Sequence, residues 1–240
     1  MTRPRRASRA WGWAASAAVG VLGIAAVAMQ SGCEGVAAAA VLFRDTDVKA
    51  VYTLPDRSMA VLVDDPKNQL RDVNGPGRVM ANITYHLHQN RKRAGLSEST
   101  EIFGVSDIRV LQREVGSEAF AEMPIDEIGR RLGADMVLYA EVLSAGARVA
   151  GGLYRPNAVV DVKLINSADG SRIWPNPGND LSGPGPGYVV TVEEEHEASA
   201  ISNRSVEYEM MRRLAEEIGK EIAQLFYKHR GKEPGDMLPG

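Results

Sequence analysis

Residues 128–174 constrain the fold more than any other part of the chain, because they predict a helix end followed by several strands. Gly133 lies where a glycine commonly ends a helix in the left-handed conformation, just before an apolar strand over 136–142. Residues 159–165 alternate apolar and polar side chains, which is typical of a half-buried antiparallel strand. Turn-forming residues separate the strands, at Gly151-Gly152 and at 167–170. The stretch therefore predicts an antiparallel meander.

The rest of the chain predicts helices that pack on this meander. A buried strand at 59–63 is followed by Val79, Ile83 and Leu87, whose spacing of four residues makes one helix face apolar. A similar apolar stripe predicts a long C-terminal helix over 199–229. The other elements are an edge strand at 49–54, short extended or helical pieces at 102–105 and 108–111, a short helix at 124–132, and a strand at 188–193. The fold class is therefore α/β, with a single mixed β-sheet that contains an antiparallel meander and is packed by two or three helices, including the long C-terminal helix.

The N-terminus has the layout of a secretory signal. Four arginines within the first nine residues form a basic region, and an uncharged apolar stretch follows from 11 to 29. Cleavage as a lipoprotein would remove residues 1–32. The alternative is an uncleaved membrane anchor, since about 18 apolar residues are enough to span a bilayer.

The only cysteine, Cys33, follows this apolar stretch and a Ser-Gly pair. The placement resembles a bacterial lipobox, in which Cys33 would be lipidated and become the first residue of the mature chain. Gln30 stands where a lipobox carries leucine or a similar residue, and Ala26-Val27-Ala28 is an alternative site for an ordinary signal peptidase. A single cysteine excludes an intramolecular disulfide and a multi-cysteine metal site.

These features predict a signal peptide at 1–32, a tether at 33–47, one domain at 48–230 and a disordered tail at 231–240. The 240-residue chain has a formal net charge of −3, and loss of the four N-terminal arginines leaves −7. Phosphate binding requires a basic face, so this charge argues against nucleic acid as the main partner.

Two segments resemble a group of bacterial envelope proteins. Residues 128–142 read IGRRLGADMVLYAEV, in which a helix ends in Gly-Ala-Asp before a strand, and residues 166–174 read NSADGSRIW. Over about residues 58–226, the chain resembles the proteins that share the TolB N-terminal, LpoB and CsgG type of fold. The resemblance implies non-catalytic envelope work: activating peptidoglycan synthases, docking other envelope proteins or building a secretion pore. The chain departs from the group in its insertion at 175–187, and no segment has the pattern of the membrane-spanning hairpin pair that a CsgG pore needs.

No combination of residues requires a catalytic explanation. Asp64 and Asp65 follow a strand and have the chemistry to bind a cation or act as acid and base, although acids are also common in turns. His86 and His88 are two residues apart on a predicted helix and therefore point to different faces, unlike a metal-binding i, i+4 pair. We expect a protein that is not an enzyme and has no cofactor or metal. The alternative is a metal-dependent hydrolase that uses Asp64 and Asp65.

Two surfaces are candidates for binding a partner protein. The loop at 175–187 contains four prolines and four glycines, and long loops without secondary structure are commonly functional. Trp174 and Tyr188 at its two ends would present aromatic area to the partner, unless both rings pack over the sheet edge and the loop is a variable insertion. The second surface is the exposed side of the C-terminal helix. The predicted partner-binding residues are Trp174, Pro175, Pro177, Tyr188, Arg204 and Arg212.

The sequence thus predicts a lipid-anchored protein that faces the periplasm, with the outer membrane favoured, and whose domain binds an envelope protein such as a peptidoglycan synthase. A subunit of a CsgG-like secretion or export complex is the alternative, and it predicts a large ring in detergent.

Overall fold

The computed structural model describes residues 47–71, 74–150, 153–176, 187–193, 196–197 and 204–231. These residues belong to a unit that begins at Asp47. The predicted signal peptide, Cys33, the tether before residue 47 and the tail after residue 231 lie outside the described residues, as do the predicted turn at Gly151-Gly152 and most of the loop at 175–187. Within the described ranges, no helix has both the length and the apolar character needed to cross a membrane.

The described residues form short and long elements of both types. The strands are β1 (Asp47–Val48), β2 (Met59–Asp64), β3 (Ile102–Phe103), β4 (Met136–Ala150), β5 (Leu153–Asn166), β6 (Arg172–Trp174), β7 (Tyr188–Glu193), β8 (His196–Glu197) and β9 (His229–Arg230). The helices are α1 (Gly75–Gln89), α2 (Arg91–Ala94), α3 (Val105–Val115), α4 (Ser117–Ala121), α5 (Ile125–Leu132) and α6 (Arg204–Gln224). The two pieces whose type the sequence left open are therefore a short strand, β3, and a helix, α3.

Most of the strands join one mixed sheet, which confirms the predicted fold class. β3, β2 and β4 are parallel neighbours in this order, and β4 and β5 form a long antiparallel hairpin. The other edge of β5 pairs antiparallel with β6, β7 and β8 at successive positions along its length. β1 and β9 form a second, two-stranded sheet that the sequence did not predict.

The hydrophobic core lies between one face of the mixed sheet and the helix pair α1 and α6. Val61, Leu138 and Leu164 lie opposite one another on three neighbouring strands, and all three are fully buried. α6 lies along α1 and also packs against β5 and β7. The predicted helix stripes are buried as expected, namely Val79, Ile83 and Leu87 on α1 and Leu214, Ile218 and Ile222 on α6.

The Gly-Ala-Asp element joins the beginnings of two parallel strands. Gly133 ends α5 in the left-handed conformation with φ of 76°, as predicted. Asp135 Oδ2 accepts hydrogen bonds from the Ser58 amide at 3.1 Å and from the Ser58 hydroxyl at 2.8 Å. The Asp135 amide in turn donates to the Ser58 carbonyl at 3.0 Å. These bonds hold the chain entering β2 beside the chain entering β4.

The predicted edge strand at 49–54 is wrong, and so is the predicted end of the C-terminal helix near residue 229. α6 ends at Gln224, and the amides of Val51 and Tyr52 donate to the Leu225 carbonyl at 2.7 and 3.1 Å. Carbonyls at the end of a helix have no partner within it. The segment around Val51 therefore supplies donors to the end of α6 instead of pairing with the sheet.

Candidate functional site

Trp174 lies in an aromatic cluster at the outer edge of the mixed sheet. Its ring stacks on Tyr188 with the centroids 5.2 Å apart, and it contacts Phe226 edge-on at 5.6 Å and Tyr52 at 5.7 Å. Only 7% of Trp174 is exposed, and Tyr188 is partly buried. The structure therefore favours the alternative in which both rings pack over the sheet edge. Trp174, predicted to bind a partner, has its ring in this cluster and not on the open surface.

The loop at 175–187 interrupts what would otherwise be one edge strand. β6 ends with Trp174 opposite Leu164, and β7 begins with Tyr188 opposite Val162, two residues farther along β5. One residue between Trp174 and Tyr188 would continue the strand, so the loop is an insertion whose two ends lie side by side. Pro175 is partly buried at its start, and Pro177 lies outside the described residues.

The Arg212 side chain forms ion pairs with acidic residues of its own helix, α6. Its guanidinium donates to Glu209 at 2.8 Å and to Glu216 at 2.6 Å, and Arg213 also donates to Glu209, at 3.2 Å. The hydrogen bonds from Arg212 and then Arg213 lower the pKa of Glu209 to about 2. A partner that uses Arg212 would have to compete with these carboxylates. The side chain of Arg204, the other predicted contact on this helix, lies outside the described residues.

The Asp65 carboxylate stabilises a turn, and both of its oxygens already accept hydrogen bonds. Its two carboxylate oxygens accept the amides of Gln69 at 2.7 Å and Leu70 at 2.9 Å. Asp64 points the other way and accepts the Tyr139 hydroxyl at 3.3 Å. No group of three or more histidine, cysteine or acidic residues among the described residues is arranged to hold a metal ion.

A row of acidic residues crosses the sheet on the face opposite the core. Asp64 on β2 lies opposite Glu141 on β4, which lies opposite Asp161 on β5, which lies opposite Val189 on β7. We call the three carboxylates Asp64, Glu141 and Asp161 the acidic row. Residues that face one another in register share one side of a sheet, so these side chains project together.

The surroundings of the acidic row are partly open to solvent. Val189 is 50% exposed and Leu143, at an irregularity in β4, is 40% exposed. α5 packs under the other half of this face, where a side chain at Gly129 would collide with Val137 and Ser167. The described helices therefore leave the half of the face that carries the acidic row uncovered, although Asp161 within the row is buried.

Asp161 is the buried member of the row. It is 5% exposed, and its Oδ2 forms an ion pair of 2.7 Å with Lys163, two residues along the same strand. Its Oδ1 is buried without a hydrogen-bond partner among the described residues. A buried carboxylate oxygen without a donor is energetically costly.

Tyr139, next to the acidic row, is expected to remain protonated well above pH 10. Burial of its ring, followed by the negative charges of Asp64 and Glu141, raises its pKa far above the ordinary value. Because the folded pKa of Tyr139 lies above the unfolded value of about 10, the protonated hydroxyl contributes to the stability of the folded chain. The contribution is complete below the unfolded pKa and is lost as the pH rises toward the folded pKa.

In an absorbance titration at 295 nm, Tyr139→Phe should leave the tyrosine signal between pH 9 and 11 unchanged for the folded chain. In urea the same variant should lose the signal of one tyrosine, and a loss under both conditions would contradict the assignment.

Sequence reasoning did not find the acidic row. Alternation over 159–165 placed Asp161 and Lys163 on the polar side of a strand, but the pairing register that brings Glu141 and Asp64 beside them depends on residues far apart in the chain. The only signal in the sequence was an acid inside each of two largely apolar strands, at Glu141 and Asp161.

No protein-family model matches the sequence, and no curated protein matches it significantly. The fold is similar to several solved bacterial structures at low identity. Lipoprotein GNA1162 from Neisseria meningitidis is 16% identical, with a TM-score of 0.39, and the match covers 69% of this chain and 97% of that chain.

Two further structures match in the same range. The PelC dodecamer from Paraburkholderia phytofirmans is 10% identical with a TM-score of 0.37, covering 76% of this chain and 96% of that chain. A minor lipoprotein from Acinetobacter baumannii is 9% identical with a TM-score of 0.37, covering 71% and 91%. At such TM-scores, the likeness does not define the function of this chain.

Proposed function

We propose that the chain is an exported lipoprotein of the bacterial cell envelope whose α/β unit binds another envelope protein without catalysing a reaction. The observation that carries the proposal is the uncovered half of the sheet face, where Val189 is 50% exposed beside the acidic row. Exposed apolar area rimmed by polar groups is typical of protein-binding surfaces. The N-terminal sequence, with its basic region, apolar stretch and Cys33, supports export and lipid anchoring.

The resemblance to the TolB N-terminal, LpoB and CsgG group supports a more specific proposal, in which the partner takes part in cell-wall synthesis or envelope assembly. The described geometry favours this binding role over the hydrolase alternative, because Asp65 already accepts two backbone amides.

Photo-crosslinking in the native envelope tests the binding role. A photoreactive amino acid is introduced at Val189 on the uncovered face and, as the matched control, at the exposed Glu114 on α3. We expect an adduct with one envelope protein from position 189 and none from position 114. Adducts of the chain only with itself would point to self-assembly, and equal labelling from both positions would contradict a docking surface on this face.

Lipidation of Cys33 is tested by Cys33→Ser. We expect the variant to lose its membrane association and appear in the soluble periplasmic fraction, because acyl chains supply the anchoring free energy of a lipoprotein. The fractions are compared by immunoblotting after osmotic shock. A variant that stays in the membrane fraction would instead support the uncleaved apolar anchor at 11–29.

Shortening of the loop at 175–187 separates its structural role from its binding role. Replacing the thirteen residues by one glycine should restore a continuous edge strand, because Trp174 and Tyr188 face β5 residues only two positions apart. We expect the midpoint of urea unfolding to change little, since surface insertions contribute little to stability. Loss of the adduct at position 189 in this variant would assign partner contact to the loop, and unfolding would contradict the insertion.

A further inference from the structure

The first and last described strands, β1 and β9, pair with each other. Asp47 lies opposite Arg230, and Val48 lies opposite His229. The Lys228 ammonium also forms an ion pair of 2.6 Å with Asp47 Oδ2. The predicted tether therefore joins the described unit at β1, beside basic residues of β9 and of the turn before it.

Exposed apolar and basic side chains are mixed in the segment that begins at β1. Val48 is 44% exposed and Val51 is 47% exposed, and Lys49 between them is also exposed. Among the described residues, neither Lys49 nor Arg93 has an ion-pair partner. Exposed valines beside lysine and arginine have the composition of a surface that contacts a lipid headgroup layer.

The one-turn helix α2 brings Arg93 to the same place. The Leu54 amide donates to the Ala94 carbonyl at 3.1 Å, which holds α2 against the segment after β1. Burial raises the pKa of Tyr227, and the positive charge of Arg93 opposes this effect, so Arg93 lies close to the residue that precedes Lys228. We call the tether surface the group Val48, Lys49, Val51, Arg93, Lys228 and Arg230.

The tether surface is positive on a chain that is negative as a whole. Two acids lie among its residues, namely Asp47, which is paired with Lys228, and Glu221, whose charge also acts on Tyr227. The four cations of the tether surface therefore leave a net charge of about +2, in contrast to the −7 of the predicted mature chain.

The covalent connection to Cys33 limits how far this surface lies from the membrane. Asp47 is fourteen residues beyond Cys33, and a fully extended chain of that length spans about 50 Å. With the lipid of Cys33 in the bilayer, the residues around β1 have the smallest upper limit on their distance from the headgroups of any described residues.

Val189 lies toward the other end of the sheet. β2 and β3 are parallel, so α1 between them returns the chain to the end of the sheet where β2 begins, and α2 follows it there. Val189 is level with Asp64, the last residue of β2, which is about 17 Å from the first. The tether surface and the uncovered face around Val189 are therefore different parts of the unit.

We propose that the tether surface binds anionic phospholipid headgroups of the membrane in which Cys33 is anchored. The proposal rests on the lipid anchor of the proposed function and adds a second, electrostatic contact with the same membrane. Each lysine or arginine near an anionic bilayer strengthens the association about fivefold, and the two valines add apolar contact. The contact turns the β1 end of the unit toward the bilayer and leaves Val189 accessible to a protein partner.

Fluorescence quenching in vesicles tests which part of the full-length chain meets the lipid. A lipidated Cys33 has no free thiol, so Val51→Cys and the control Val189→Cys each supply the only thiol for a polarity-sensitive fluorophore. The two valines are similarly exposed, at 47% and 50%. In vesicles of phosphatidylglycerol and phosphatidylethanolamine that carry nitroxide headgroups, we expect severalfold stronger quenching at position 51. Equal quenching at both positions would overturn the proposal.

Lipid composition and salt test the role of charge. We expect the excess quenching at position 51 to be lost in phosphatidylcholine vesicles and in about 1 M salt, where the Debye length falls to about 3 Å. An excess that persists under both conditions would mean that the tether alone brings this end near the bilayer, and the headgroup contact would be overturned.

A matched pair of double variants tests the named cations. Lys49→Gln with Arg93→Gln should reduce the excess quenching at position 51 to about a fifth or less. Arg109→Gln with Arg113→Gln removes two exposed cations of α3 and should leave the quenching unchanged. Equal losses in both double variants would reduce the effect to the overall charge of the chain and overturn the assignment to the tether surface.

Two further outcomes separate this proposal from the proposed function. Labelling of a chain without an introduced cysteine would show that Cys33 is free, which would overturn the lipid anchor and this proposal with it. If Cys33 is blocked and the fluorophore at position 51 responds to protein concentration but not to lipid, a second copy of the chain covers the valines. That result would overturn the headgroup contact and leave the lipid anchor standing.

Discussion

Trp174→Ala is expected to lower the free energy of unfolding by about 3–5 kcal/mol, the usual cost of removing a buried large aromatic side chain. The indole is 7% exposed and contacts three other rings, those of Tyr52, Tyr188 and Phe226. These rings come from the N-terminal segment, the edge strand β7 and the turn after α6. The substitution therefore removes contacts between parts of the chain that are distant in sequence, and the cavity has no single neighbour able to fill it.

Urea unfolding followed by circular dichroism measures this effect. Tyr85→Ala is the matched control, because Tyr85 is 57% exposed on α1 and its truncation should change the free energy of unfolding by no more than about 0.5 kcal/mol. Trp174→Phe should lie between the two, since a smaller ring still fills part of the site. If Trp174→Ala had the same free energy of unfolding as the wild type while the crosslinked adduct disappeared, the prediction of Trp174 as a partner contact would be supported.

The elements that could be predicted from the sequence are those whose signals are local. The stripes Val79, Ile83, Leu87 and Leu214, Ile218, Ile222 have helical spacing, and each helix buries that stripe. Gly133 takes the left-handed conformation that its position after a helix predicted. The alternation over 159–165 likewise predicted β5, because one face of this strand packs on the core.

Sequence reasoning failed where the outcome depends on a distant partner. Apolar residues at 49–54 resemble a strand, but the amides of Val51 and Tyr52 donate to the carbonyl of Leu225, and nothing near them in sequence indicates this. The end of α6 was misplaced for the same reason, since the stripe continues into Phe226 and Tyr227, which are buried in a turn and not in a helix.

The candidate site was beyond sequence reasoning because it depends on register. Trp174 and Tyr188 could be identified as aromatic ends of a loop, yet their stacking follows from both facing β5 within two residues. The acidic row likewise requires that three strands align at one level, and a shift of one residue would send Glu141 to the core side.

Gly219→Ala is expected to destabilise the protein by about 1–3 kcal/mol, although alanine is the better helix former. An added Cβ would lie 2.6 Å from the Val79 carbonyl oxygen and 2.6 Å from the Asn82 Cβ, with the Ile83 amide nitrogen at 3.1 Å. Two of these neighbours are backbone atoms of α1, which cannot rotate away. The two helices would have to separate, and their apolar stripes would lose contact along the whole interface.

Helix propensity alone predicts that Gly219→Ala stabilises the protein, because alanine stabilises a helix relative to glycine by about 1 kcal/mol. A graded series at one position therefore separates the two effects in urea unfolding. If close packing dominates, stability should fall from Gly219 to alanine and further to valine, whose branched side chain extends deeper into α1. Gly146→Ala serves as the control, because no atom lies within 4 Å of its added Cβ, and it should be close to neutral. A stabilised Gly219→Ala would mean that α1 and α6 are not in close contact at this glycine, and the core between the sheet and these helices would need a different packing.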